Sequence, residues 1–102
     1  MSQVSSVLRR STTGYSHWCP GCREMHHIHT DAPNSNGAQW SFDGNAESPT
    51  FTPSVNISSH DEEDGTTERC HYNLTAGVLN FCGDSTHSLA GQPVPLPPLP
   101  SP

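Results

Sequence analysis

Cys19-Pro20-Gly21-Cys22 is the segment best suited to chemistry. Two thiolates separated by two residues can bind one tetrahedral ion from a tight turn, and the intervening Pro and Gly shape that turn. The redox alternative for a C-x-x-C pair needs a strand–helix context of the thioredoxin kind, and no window here has helical periodicity. A structural ion of this type takes about four protein ligands. Cys70 is the expected third, because it opens a strand-like run and is soft enough for a thiolate site. His87 is the expected fourth, lying where the chain could return beside Cys70. His71, Cys82 and His26 stay open as alternatives for that position. The cofactor expected is zinc, in a structural role that contributes folding free energy directly.

These residues must be held by strands. Tyr15–Trp18 and Met25–Thr30 can flank the knuckle as a short hairpin. Trp40 and Phe42 alternate with polar neighbours before an Asp43-Gly44 turn. Val55 and Ile57 alternate after Pro49 and Pro53, which suits an edge strand or its approach. Cys70–Leu74 and Val78–Cys82 read as a hairpin. A two-residue loop at Ala76-Gly77 pairs Leu74 with Leu79 and Tyr72 with Phe81. That register collects the apolar residues on one face, turns Cys70 inward and sets His71 opposite Cys82 on the other face. Ser58 to Glu68 is acidic and polar, and reads as an exposed loop. The expected fold class is all-β, a small zinc-stapled domain with a knuckle hairpin and at least one further antiparallel hairpin.

Composition agrees with a staple. Of 102 residues only 30% are hydrophobic, a thin supply of core for a domain of this size, which then leans on a metal, a disulfide or a partner. Trp18, Trp40, Phe42, Tyr72 and Phe81 are therefore expected in the core. A net charge of −6 with only four basic residues argues against nucleic-acid binding, which rests on clustered Lys and Arg. No segment approaches the roughly 20 apolar residues of a membrane span, and the N-terminal stretch lacks the apolar run of a signal peptide. Cysteines in a reducing compartment read as metal ligands before disulfides. The expected organisation is an arm over residues 1–13, flexible or held by a partner, a zinc-binding β domain over 14–92 and a Pro-rich extended tail over 93–102. That tail carries six of the ten prolines and is expected to run as polyproline II without a core of its own.

Several separated strings carry a resemblance. They are His17-Trp18-Cys19-Pro20-Gly21-Cys22, Trp40-Ser41-Phe42-Asp43-Gly44, Pro49-Thr50-Phe51-Thr52-Pro53-Ser54, Cys70-His71, and Gly83-Asp84 with Thr86 to Gln92. Together they resemble a family of small phage and prophage proteins often labelled "ammonia monooxygenase". Related chains of that family appear beside bacterial ubiquitin-like conjugation genes. The resemblance implies a small zinc-binding fold and no established activity. The chain departs from the family pattern at Ser85, where Cys is usual, and at Cys82, where an apolar residue is usual.

The expected function is non-enzymatic. It is that of a phage-encoded structural or interaction protein, a virion component or accessory factor. Its partners would be phage structural proteins or a host protein, and its place the virion or host cytoplasm. The alternatives are a small zinc-dependent enzyme, for which Glu24 and Asp84 are candidate acid–base groups, and an adaptor acting on a host pathway. The zinc-enzyme motif H-E-x-x-H and the zinc-deaminase pattern are absent. Ser85-Thr86-His87 is too common a string to mark a nucleophile.

Overall fold

The computed structural model describes residues 3–100, and all regular structure in it is β. The strands are β1 (Arg9–Ser11), β2 (Gly14–Cys19), β3 (Glu24–His29), β4 (Ser41–Phe42), β5 (Phe51–His60), β6 (Thr67–Thr75), β7 (Val78–Phe81) and β8 (Pro93–Pro95). They form a three-stranded sheet, β1-β2-β3, and a five-stranded sheet, β4-β5-β6-β7-β8, with every neighbouring pair antiparallel. The expected all-β class and both expected hairpins are present. In the first hairpin Trp18 faces Met25 and Cys19 faces Glu24, with the Cys-Pro-Gly-Cys knuckle at the tip.

The β6–β7 hairpin has the register that apolar burial demands. Leu74 pairs with Leu79 and Tyr72 with Phe81, and all four are buried. Its two-residue loop places Ala76 at φ 49° and Gly77 at φ 76°. Two successive left-handed residues match the right-handed twist of the flanking strands. One core joins the two sheets: Leu8, just ahead of β1, and Cys19 and Ile28 of the first sheet pack with Phe51, Val55, Cys70, Tyr72, Leu74, Leu79 and Phe81 of the second. Of the five aromatic residues expected there, Tyr72 and Phe81 are buried, while Trp18, Trp40 and Phe42 are half-buried.

Three expectations change. Ser58–Glu68 is not one loop, because β5 runs to His60 and β6 starts at Thr67. Only a short turn remains, closed by Asp61 N–H donating to Thr66 O at 2.8 Å and by Asp side chains accepting from Glu63 and Thr66 N–H. The stretch before Gly14 is not a free arm over its described part. Val7 and Leu8 are buried and β1 pairs with β2. The Pro-rich segment also packs. β8 adds to β7 with Val94 opposite Leu79, Leu96 is buried, and Leu99 N–H donates to Ser6 O at 2.8 Å. Proline's fixed φ is compatible with a sheet-edge strand, so the same residues that favour polyproline II also serve as a border strand. Met1, Ser2, Ser101 and Pro102 lie outside the described residues.

Candidate active site and metal centre

Adjacent residues of β6 serve two different sites. Side chains alternate across a strand, so Cys70 enters the core while His71 projects from the opposite face. The segment after β7 then crosses both, with Asp84 beside His71 and His87 beside Cys70.

On the inner face, the ligand atoms of Cys19, Cys22, Cys70 and His87 all lie within 4.8 Å of one another. The knuckle is closed by Arg23 N–H donating to Cys19 O at 2.8 Å, and Cys22 N–H points at Cys19 Sγ, 3.4 Å away. Gly21 lets His87 in: a Cβ at that position would fall 2.5 Å from the imidazole ring. These donors fit a tetrahedral cation. Cys19 Sγ and Cys70 Sγ are 3.8 Å apart, and a tetrahedron with metal–sulfur arms of ~2.3 Å has edges of ~3.8 Å. His87 Nε2 is buried without a hydrogen-bond partner, a vacancy that a buried polar atom rarely tolerates.

The three thiols perturb one another. Cys19 is lowered to about 6, chiefly by the hydrogen bond from Cys70 and against the opposing effect of burial. Cys22 is pushed up to about 11 by burial and by the charge of Cys19. Cys70 is pushed up further, first by its hydrogen bond to Cys19 and then by burial. One thiolate forms at the expense of the other two, and a bound cation removes that competition. The four expected metal residues are thus brought together, in a pocket compatible with a metal. Of the alternatives for the fourth position, two go elsewhere, while His26 stays beside the site, within 4.8 Å of Cys22 and Glu24. Cys82 and His71 lie on the outer face, and His26 Nδ1 is within 3.2 Å of the Tyr72 hydroxyl, which also contacts His17 Nε2 at 2.6 Å. Burial, followed by the influence of a neighbouring histidine, lowers His17 to about 3 and His26 to about 4, so both sit neutral in the interior.

On the outer face, three side chains form a hydrogen-bonded chain. Ser54 Oγ lies 3.2 Å from His71 Nε2, and His71 Nδ1 lies 3.1 and 3.2 Å from the two carboxylate oxygens of Asp84. The carboxylate selects the tautomer: Nδ1–H donates to Asp84, leaving the Nε2 lone pair to accept from the Ser54 hydroxyl. Burial tends to raise Asp84, but the hydrogen bond and charge of His71, helped by Arg69, outweigh it and hold the carboxyl below its ordinary value. Arg69 Nη1 stands 3.4 Å from Asp84 Oδ2.

The surroundings fix each member. Ser54 lies within an irregularity in β5, where Phe51 pairs with Leu74 but Val55 pairs with Tyr72. The Thr52–Pro53 peptide in this stretch is cis. Trp40 Nε1 donates to Ser54 O at 3.2 Å. The Ser85 hydroxyl accepts from His71 N–H and donates to His71 O, both at 3.0 Å. Thr86 repeats the pattern on Arg69, at 2.9 and 3.3 Å. Two hydroxyls thereby complete the strand pairing that the backbone leaves open, and they hold Asp84 next to His71.

Each of these residues ends one of the strings that carry the resemblance, but nothing in those strings joins them. Ser54 closes the Pro49–Ser54 string, His71 follows Cys70, and Asp84 follows Gly83. The separations of 17 and 13 residues have no local logic. The usable signal was the β6–β7 register, which already put His71 on the solvent face with the post-β7 segment next to it.

A Ser–His–Asp hydrogen-bonded chain is the arrangement that serine hydrolases use. The family model described as "Bacterial ubiquitination-like system serine protease (BubE)" matches residues 2–82, and the chain belongs to this family. The matched stretch contains Ser54, His71, Cys19, Cys22 and Cys70, and ends two residues before Asp84. No curated protein and no solved structure matches the chain. Membership of a serine protease family overturns the expectation of a non-enzymatic structural or interaction protein of a phage. That expectation rested on the resemblance, the thin core and the metal staple, and no local string pointed to Ser54 as a nucleophile. Among the described residues no helix is long and apolar enough to cross a membrane.

Proposed function

We propose that this chain is a serine protease in which Ser54 is the nucleophile, His71 the general base and acid, and Asp84 the group that orients and stabilises His71. The observation that carries this reading is the continuous Ser54–His71–Asp84 hydrogen-bonded chain. His71 Nε2 takes the Ser54 proton as Oγ attacks the scissile carbonyl carbon. The tetrahedral adduct collapses, His71 gives that proton to the departing amine, and the acyl group stays on Ser54 as an ester. Water then attacks the ester with its proton going to His71, and the proton returns to Ser54 as the acid product leaves. Asp84 stays ionised throughout and faces the imidazolium.

Zinc is the ion proposed for Cys19, Cys22, Cys70 and His87. Three thiolates and an imidazole are a structural zinc donor set. With four protein donors its contribution is to the fold, and the proteolytic chemistry belongs to the other face of β6.

A fluorophosphonate probe, which phosphonylates activated serines with loss of fluoride, tests the reading. Mass spectrometry should find the adduct on Ser54, and Ser54→Ala and His71→Ala should each lose it. An unlabelled Ser54 in folded, metal-replete protein, or proteolysis that persists in Ser54→Ala, would falsify the assignment.

A further inference from the structure

The nucleophile stands at the start of an open sheet edge. β4 covers β5 only at Phe51 and Thr52, and among the described residues no backbone group pairs with β5 beyond them on that side. The pairing inside β6 shows which groups face outward. His71 directs its N–H and C=O toward Ser85 and Cys82, and Arg69 directs its own toward Thr86. Their partners across the ladder, Asn56 and Ser58, are therefore non-hydrogen-bonded pairs, so their N–H and C=O groups point away from β6. Ser54 O points to the same open side, since it accepts from Trp40.

From Ser54 to His60 this edge spans about 20 Å at the usual strand rise. Sheet edges are normally blunted by Lys, Pro or inward-pointing charge. Asn56-Ile57-Ser58-Ser59-His60 has none of these, and Ile57 is 40% exposed. An unprotected edge that begins at a nucleophile is suited to an extended chain adding as a further strand. Resting on the protease reading above, we infer that the substrate is an unfolded polypeptide segment that docks along β5 by backbone pairing with Asn56 and Ser58, which lays its scissile carbonyl at Ser54. A folded loop lacks the run of free backbone groups that this edge requires. Backbone pairing recognises conformation more than side chains, so affinity should grow with peptide length for mixed sequences.

The test is competition against fluorophosphonate labelling of Ser54 in the full chain, comparing phenylboronate with a random-sequence pool of hexapeptidyl boronates. The pool should compete at least tenfold better. The same pool N-methylated at alternate residues should lose that advantage. Ser58→Pro, which deletes an outward N–H without touching the β6 ladder, should bring the pool-to-phenylboronate ratio to about one. Its circular dichroism and metal content would report folding. A pool no better than phenylboronate, or an advantage that survives N-methylation, overturns the edge inference while leaving the triad standing. An unlabelled Ser54 in the absence of any competitor instead overturns the protease reading beneath it.

Discussion

The two faces of β6 solve opposite problems with neighbouring residues. Inside, Cys70 is 2% exposed and joins Cys19, Cys22 and His87 in a donor set, two of them buried and two half-buried, that is compatible with a cation. Outside, the His71 side chain is 25% exposed and Asp84 43%, so a substrate can reach Ser54 and protons can exchange. A set of four convergent protein donors suits a permanent structural role, since its ligands are committed to one another. A half-open hydrogen-bonded chain suits turnover, since its members must change protonation state. The segment from Cys82 to His87 ties the two together. It places Asp84 on one face and His87 on the other, so whatever holds His87 to Cys70 also holds Asp84 to His71.

The comparison breaks most completely at the metal. Chelation, or Cys70→Ser, should remove the fold and the Ser54 reactivity together, because structural zinc contributes on the order of 10 kcal/mol in small domains. Loss of both near-UV dichroism and probe labelling is the expected result, with metal content read in parallel. Ser54→Ala should separate the faces instead. Turnover should fall by about 10³-fold or more, while the melting temperature and metal content stay near wild type. Asp84→Asn should lower kcat by about 10²- to 10⁴-fold through loss of the correct imidazole tautomer, again with the metal retained. A variant at Asp84 that sheds its metal would show the two sites to be one cooperative unit.

Smaller changes sharpen the picture. Ser85→Ala leaves His71 N–H without its side-chain acceptor and should cost about 1 kcal/mol in a denaturant melt, with a several-fold fall in kcat as His71 loosens. The finest test is a carboxyl titration by NMR. His71→Ala should raise the pKa of Asp84 toward its ordinary value. A carboxyl depressed in the folded state adds stability above its unfolded pKa, and that stability is lost as pH falls through the folded value. The wild type should therefore keep a small stability increment over His71→Ala near pH 5 that vanishes on strong acidification.

Local patterns made much of this legible. The knuckle, its hairpin and the Leu74–Leu79 register follow from spacing and from which face can be buried, and Cys70 and His87 were nominated to join Cys19 and Cys22 with the fourth position left open. The strand character of Pro93–Pro95 and the burial of Leu8 did not, because each depends on a neighbour distant in the chain. The triad escaped for the same reason and for one more. Its residue types are ordinary polar ones in a protein with seven histidines and ten acids, and nothing local distinguishes Ser54 from its many counterparts.

The linear chain dictates alternation, turn chemistry and the softness of its thiols, all of which act over a few residues. That is enough to require an all-β fold and to nominate a metal pocket. Which serine meets which histidine was left to the tertiary structure. A hydrogen bond between Ser54 and His71 depends on the register of β5 against β6, and that register is set by the burial of Val55 and Tyr72 on the opposite face.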